Sequence, residues 1–240
     1  EVDALLNEQQ LIARQHKVTR KEITVIGIVL AGAFLAILNQ TVLSPALPKL
    51  MDAFSISAGT AQWVTSIYML VNGIMVPITG FLIDRFSTRK LFFASMAAFI
   101  VGTTLCAAAP SFELLIVGRI LQAAGAGVQL PLVGVVPMLI FPPEKRGTAM
   151  GLFGIVIAFG PAIGPTVAGV IIDRYTWHDM FYIITALSAV VVLIGAFVLQ
   201  KGGDTNKDVT LDVPSVVLSS LGFGGLLYGL STIGSYGLRV

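Results

Sequence analysis

Arg119 is the only charge in the run of residues 114–143. Gln122 follows one helical turn later on the same face, and Gly118 and Gly125 flank the pair. A charged side chain in hydrocarbon costs on the order of 3 kcal/mol, so its presence points to charge handling at membrane depth. It lies about 9 Å inward from Glu113 at helical rise, a depth from which it could also snorkel to the interface. A second polar group, Asn39, Gln40, Thr41 and Ser44, closes the first apolar run. Consecutive amides away from water need partners, so they either line a cavity or bridge two helices. A third group is the turn GFLIDRFSTRK, 80–90, where Asp84, Arg85, Arg89 and Lys90 follow the uncharged run 53–83. Its three cations serve orientation in the membrane, but acidic residues contribute little to orientation. Asp84 therefore asks for a partner. Gly80 lies one turn earlier on the same face and admits a close neighbour. Together these residues read as a latch of charge pairs and helix-end dipoles, and a few kcal/mol suffices to bias two conformers.

Covalent chemistry finds little support in the same reading. His16 and His178 lie outside the apolar runs, and neither HExxH nor GxSxG occurs. The single Cys106 falls mid-run and builds no disulfide framework. An intramembrane enzyme would need a buried nucleophile and base or a set of metal ligands. No catalytic residue, metal or cofactor is therefore expected.

The elements that must position these residues follow from composition. Of 240 residues 55% are hydrophobic and 12% charged, against about a quarter charged in soluble domains. Residues 23–48, 53–83, 91–112, 147–172, 180–200 and 213–238 carry no charge, and 114–143 carries Arg119 alone. A membrane helix needs about 20 apolar residues, so these predict seven spans. A β-barrel would alternate in segments of about ten residues, which these runs do not. Residues 1–22 form a polar tail with Val2, Leu5, Leu6, Ile12 and Ala13 at loosely helical spacing. The run after it is too long for a signal-peptide core. Eleven cations fall on the tail's side of the alternating spans: Arg14, Lys17, Arg20, Lys21, Arg85, Arg89, Lys90, Lys145, Arg146, Lys201 and Lys207. Lys49, Arg174 and Arg239 fall on the other. This bias places the N-terminus in the cytoplasm of a multi-pass protein of the cell membrane. Trp63 and Trp177 fall at outer span ends, where interface aromatics sit. The basic residues are spread among loops, so the net charge of +2 predicts no nucleic-acid partner.

GFLIDRF, 80–86, has an echo in GVIIDRY, 169–175. One copy closes the second span and the other the fifth, so a three-helix unit is used twice. Three is odd, so the second copy is inverted, and Asp84 and Asp173 should face opposite sides. Inverted three-helix repeats are a building principle of secondary transporters, with the binding site near the midplane.

Several stretches carry a resemblance. GFLIDRFSTRK resembles the cytoplasmic loop signature of the major facilitator superfamily, with Ser87 where a second Gly is usual. LIVGRILQAAGAG, 115–127, resembles its span-four motif. GPAIGPTVAG, 160–169, LNQTVLSPALP, 38–48, and LDVPSVVLSSLGFGGLLYGLS, 211–231, resemble segments of the fourteen-helix drug:proton antiporter family. The resemblance implies an all-α, six-helix half-bundle with a seventh helix added. It implies that Arg119 acts in proton transfer and cavity polarity. Gly160, Pro161, Gly164 and Pro165, two Gly-Pro pairs, are expected to form a hinged surface sliding on the transporter's other half.

The expected organisation is a cytoplasmic tail at 1–22, a six-helix bundle at 23–200, a cytoplasmic linker at 201–212 and a seventh span at 213–238. The expected function is export of amphipathic or hydrophobic compounds by alternating access, coupled to protons. Alternatives are a nutrient or metabolite carrier of the same fold, which would need a more polar cavity, and a non-transporting half-protein. Expected partners are the bilayer, a small amphipathic substrate and a second transporter half, because one half cannot enclose the pathway. The chain is accordingly expected to be part of a longer protein or to pair with a second copy. One departure from the antiporter family stands out. Asn39 occupies a position usually held by Asp, and none of the thirteen acidic residues lies inside a span. Asn39→Asp is expected to add or sharpen pH dependence of transport, and identical pH profiles of variant and parent would refute this.

Overall fold

The computed structural model describes residues 19–141, 143–199 and 213–236. Most of the expected tail, the linker 201–212 and Arg239 lie outside these residues. The chain is helical: α1 Arg20–Thr41, a one-turn 3-10 helix Ser44–Ala46, α2 Leu47–Phe54, α3 Ala58–Arg85, α4 Thr88–Ala107, α5 Phe112–Ile140, α6 Pro143–Arg174, α7 Trp177–Val198 and α8 Val213–Tyr236. Among the described residues, six helices are long and apolar enough to cross a membrane, the first running from Arg20 through α2. In α8 the described apolar stretch is Val216–Leu226.

Helix starts follow from local chemistry. Thr19 and Glu22 form a capping box on α1, and Thr176 and Asp179 one on α7. Ser57 Oγ accepts from Thr60 N at 3.2 Å at the head of α3, and Ser111 Oγ from Leu114 N at 3.4 Å at the head of α5. The α2 helix ends on Ser55 in the left-handed region, with φ 52°.

Two boundaries differ from the sequence expectation. The first apolar run does not stay helical to Pro48; α1 ends at Thr41, and the chain turns through the 3-10 helix, which carries Pro45. Pro favours the first turn of a helix, and Pro45 and Pro48 stand in the first turns of the 3-10 helix and of α2, where they restart rather than extend α1. Asp84 and Arg85 are not in the turn that follows the uncharged run; they form the last turn of α3.

At the core, α5 packs on α4, α3 and α1, and α7 packs on α4 and α1. The α4–α5 seam is made by glycines. A Cβ on Gly102 would meet Gly118 O at 2.6 Å, and one on Gly118 would meet Gly102 O at 2.9 Å. Contact at that range is backbone to backbone, as in small-residue membrane interfaces.

Contacts along the helices fix the ends of the bundle. Gly160 and Gly164 of α6 rest on Ile37 and Thr41 of α1, so α6 runs parallel to α1 and finishes, with Asp173, where α1 finishes. Gly195 of α7 meets Ile28 of α1 and Phe92 of α4, near the start of both. Arg89 donates to Leu199 O at that same end, next to Asp84 and Arg85. Asp84 and Asp173 thus close helices at opposite ends, as an inverted repeat requires.

Trp177 is not an interface anchor. It is buried among Phe54, Phe181 and His178, because α2 folds back over the start of α7. Trp63 is exposed. Arg89 caps the C-terminus of α7, where a cation meets both an orphan carbonyl and the negative helix end. Arg89→Ala is expected to destabilise the α4–α7 contact by about 1 kcal/mol, read as faster hydrogen exchange over the last turn of α7. Unchanged exchange there would show that the cap carries no energy.

Candidate functional site

Four helices meet at one polar cluster inside the apolar bundle. Arg119, Gln122, Asn39 and Thr103 are each 0% exposed, and Tyr68 is 1% exposed. Arg119 Nε donates to Val64 O at 3.1 Å, and Nη1 to Gln122 Oε1 at 2.9 Å. Its guanidinium lies 4.1 Å from the centre of the Tyr68 ring, a desolvated cation–π contact of about 2 kcal/mol. Gln122 Nε2 donates to Thr103 Oγ1 at 2.9 Å and to Asn39 Oδ1 at 3.4 Å. The Tyr68 hydroxyl donates to Ala36 O at 3.2 Å. Asn39 of α1, Tyr68 of α3, Thr103 of α4 and the Arg119–Gln122 pair of α5 are thereby one unit.

The geometry settles how Arg119 is held. It does not snorkel, since its guanidinium is wholly buried and fixed by the α3 backbone, the Gln122 amide and the Tyr68 ring. Helical spacing brings Arg119 and Gln122 together, and Gly118 lets α5 lie close enough to α4 for Gln122 to reach Thr103. Asn39 forms the interhelical hydrogen bond that its burial required. Gln40, about 100° round the same helix, is only partly buried.

The expected latch is divided by the structure. Asp84, Arg85 and Lys90 are exposed, and Arg85 lies over the Phe81 ring at 5.9 Å. Arg89 is committed inside the bundle, to Leu199 O and the Phe93 ring. Among the described residues none packs against Gly80: a Cβ there would meet nothing within 4 Å. Its face is open to whatever packs from outside.

The span-five motif is also divided. Gly160 and Gly164 are buried, but their partner is α1, not another half: a Cβ on either would run into Ile37 or Thr41. Thr41 Oγ1 even reaches Gly160 O at 3.4 Å. Pro161 and Pro165 are exposed on the other side of α6, where their missing donors leave no interhelical gap. The pairing follows from spacing, since residues four apart share a face and the prolines that follow them do not.

Residues not singled out from the sequence complete the picture. Tyr68 and Thr103 belong to the Arg119 network. Gln129 Nε2 donates to Ser95 Oγ at 2.8 Å two turns further along α5, and Thr79 Oγ1 donates to Gly127 O at 3.1 Å. Each is an isolated polar side chain in an apolar run, and that is the signal that could have found it. Separate from this network, a cavity of about 450 Å³ opens between α3, α4 and α5, lined by Met75, Leu82, Phe86, Ala94 and Ala98 with Lys90 among them. Apart from Lys90 and Ser95 its lining is apolar. Among the described residues no group of three metal-binding side chains forms.

Comparison with known proteins adds ancestry to the geometry. A family model described as the Major Facilitator Superfamily matches residues 29–236. The chain is 52% identical over 213 residues to the uncharacterized MFS-type transporter YcnB of Bacillus subtilis (strain 168), covering 89% of this chain and 45% of that one. It is 43% identical over 209 residues to the lincomycin resistance protein LmrB of the same organism, covering 87% and 43%. The chain spans about half the length of the curated relatives it matches. Among solved structures it resembles that of the human organic anion transporter MFSD10 (TETRAN), with TM-score 0.69 at 15% identity, covering 82% of this chain and 53% of that one.

Proposed function

The chain belongs to the major facilitator superfamily, a family of membrane transporters and not enzymes, and on that premise we propose that it is the N-terminal half of a proton-coupled exporter of amphipathic compounds. The observation that carries this is the buried Arg119 network. A cation held at membrane depth by four helices is costly unless it serves charge movement or recognition. Its neighbours are neutral amides, a ring and a hydroxyl, suited to loose recognition rather than to a fixed polar substrate. The lincomycin resistance protein among the relatives supports export.

Alternating access needs a second half rocking against this one. The open Gly80 face beside exposed Asp84 is the surface we assign to it on the cytoplasmic side, so the latch joins the halves. With the cationic turns inward, the N-terminus is cytoplasmic in the cell membrane.

Efflux of a fluorescent organic cation, measured in cells carrying the full-length transporter, tests this reading. Asp84→Asn should slow efflux several-fold by weakening the latch, while leaving the purified protein's melting temperature within about 2 °C, as expected of an exposed site. Dye retention equal to that of cells without the transporter would remove the exporter reading. Parental efflux by Asp84→Asn would remove the latch alone.

A further inference from the structure

The hydrogen bonds around Arg119 have a direction. A guanidinium only donates, so Gln122 must turn its oxygen toward Nη1. That turns Gln122 Nε2 toward Asn39, which must answer with its oxygen. The relay therefore fixes both amide orientations. It leaves a donor at each end: Arg119 Nη2 and Asn39 Nδ2 are buried and complete no hydrogen bond, with the Tyr68 hydroxyl the polar group nearest the Asn39 amide's reach.

The charge balance points the same way. Arg119 is wholly buried, and the groups that face it with charge or a titratable proton are Tyr68 and Cys106. Among the described residues no carboxylate pairs with it. Asn72 Oδ1 is an unpartnered acceptor, but it is neutral and lies against Gly127, two turns along α5. One cation, two free donors and no anion is an imbalance that buried charges do not tolerate.

We infer that the Arg119 network is a binding site for a small monovalent anion, which takes Arg119 Nη2 as its charged donor and Asn39 Nδ2 as the network's second free donor. The chemistry fits an inorganic halide or the carboxylate of a small organic molecule. Gln122 then acts as a positioning residue: it turns Asn39 so that a donor, and not an acceptor, is left free.

The test is the melting temperature of the full-length transporter, purified in detergent, in chloride, acetate and gluconate at equal ionic strength. Gluconate is the bulky reference. Chloride is expected to raise the melting temperature saturably by about 3 °C or more over gluconate. A rise in acetate but not chloride would assign the site to carboxylates. Equal melting in all three would overturn the proposal. Asn39→Asp places a carboxylate inside the network, so it should melt in gluconate as the parent does in chloride, with no anion response. An Asn39→Asp protein that keeps the parental response would also overturn it. Should that variant not fold, bromide diffraction from the parent decides: anomalous density beside the Arg119 guanidinium supports the site, and density confined to the surface refutes it. None of these readouts uses transport, so their failure leaves the exporter reading intact.

Discussion

Arg119→Ala is expected to reduce dye efflux by the full-length transporter to the level of cells that lack it, with only a partial loss of stability. The two effects separate for a physical reason. Losing the side chain leaves Val64 O and Gln122 Oε1 without a donor, at about 1–3 kcal/mol each. It also removes a buried cation that no carboxylate balances, and that relief is of several kcal/mol. Loss of the Tyr68 cation–π contact and the cavity left by a wholly buried side chain add to the cost, so the relief offsets only part of it and the melting temperature should fall by several degrees. Transport has no such compensation, because among the described residues no other charged side chain is wholly buried in the bundle. Arg119→Lys should rescue poorly. An ammonium has no planar fork to bridge Val64 O and Gln122 and to lie over Tyr68 at once. Efflux by the alanine variant at the parental rate would take Arg119 out of the mechanism. A variant that no longer folds would make it a structural tie.

The sequence carried the fold further than the site, and particular residues show why. Uncharged runs marked the six helices that are long and apolar enough to cross a membrane among the described residues, since hydrocarbon accepts few other structures. The echo of GFLIDRF in GVIIDRY reported the inverted repeat, and the placing of Asp84 and Asp173 at opposite ends agrees with it. Arg119 and Gln122 were legible because helical spacing is local. Tyr68 and Thr103 were not, because their meeting depends on helix rotation, which no run of apolar residues records. The same blindness explains Gly160 and Gly164. Their spacing announced a close helix contact, but only packing could name α1 as the partner. Trp177 was misread because α2 covers it, and α2 exists only because Pro45 and Pro48 restart the chain after Thr41.

Gly102→Ala is expected to be among the most damaging single methyl additions in the bundle. A Cβ at that position would meet the Gly118 carbonyl oxygen at 2.6 Å and the Gln122 backbone as well. Backbone atoms cannot swing aside as a side-chain tip can, so α4 and α5 must separate. Overpacking of this kind costs about 1–3 kcal/mol and sometimes more. Here the shift has a second consequence. Thr103 lies next to Gly102, and its hydroxyl is 2.9 Å from Gln122 Nε2. Moving α4 away breaks that bond and loosens the amide that orients both Arg119 and Asn39. The variant should therefore lose efflux as well as stability, with a melting temperature lower by about 5 °C or more. Gly134→Ala is the control on the same helix as Arg119, because a Cβ there would meet nothing within 4 Å. It should be neutral in both assays. Equal behaviour of the two alanine variants would mean that the α4–α5 seam does not hold the site, and that the Arg119 network stands on its hydrogen bonds alone.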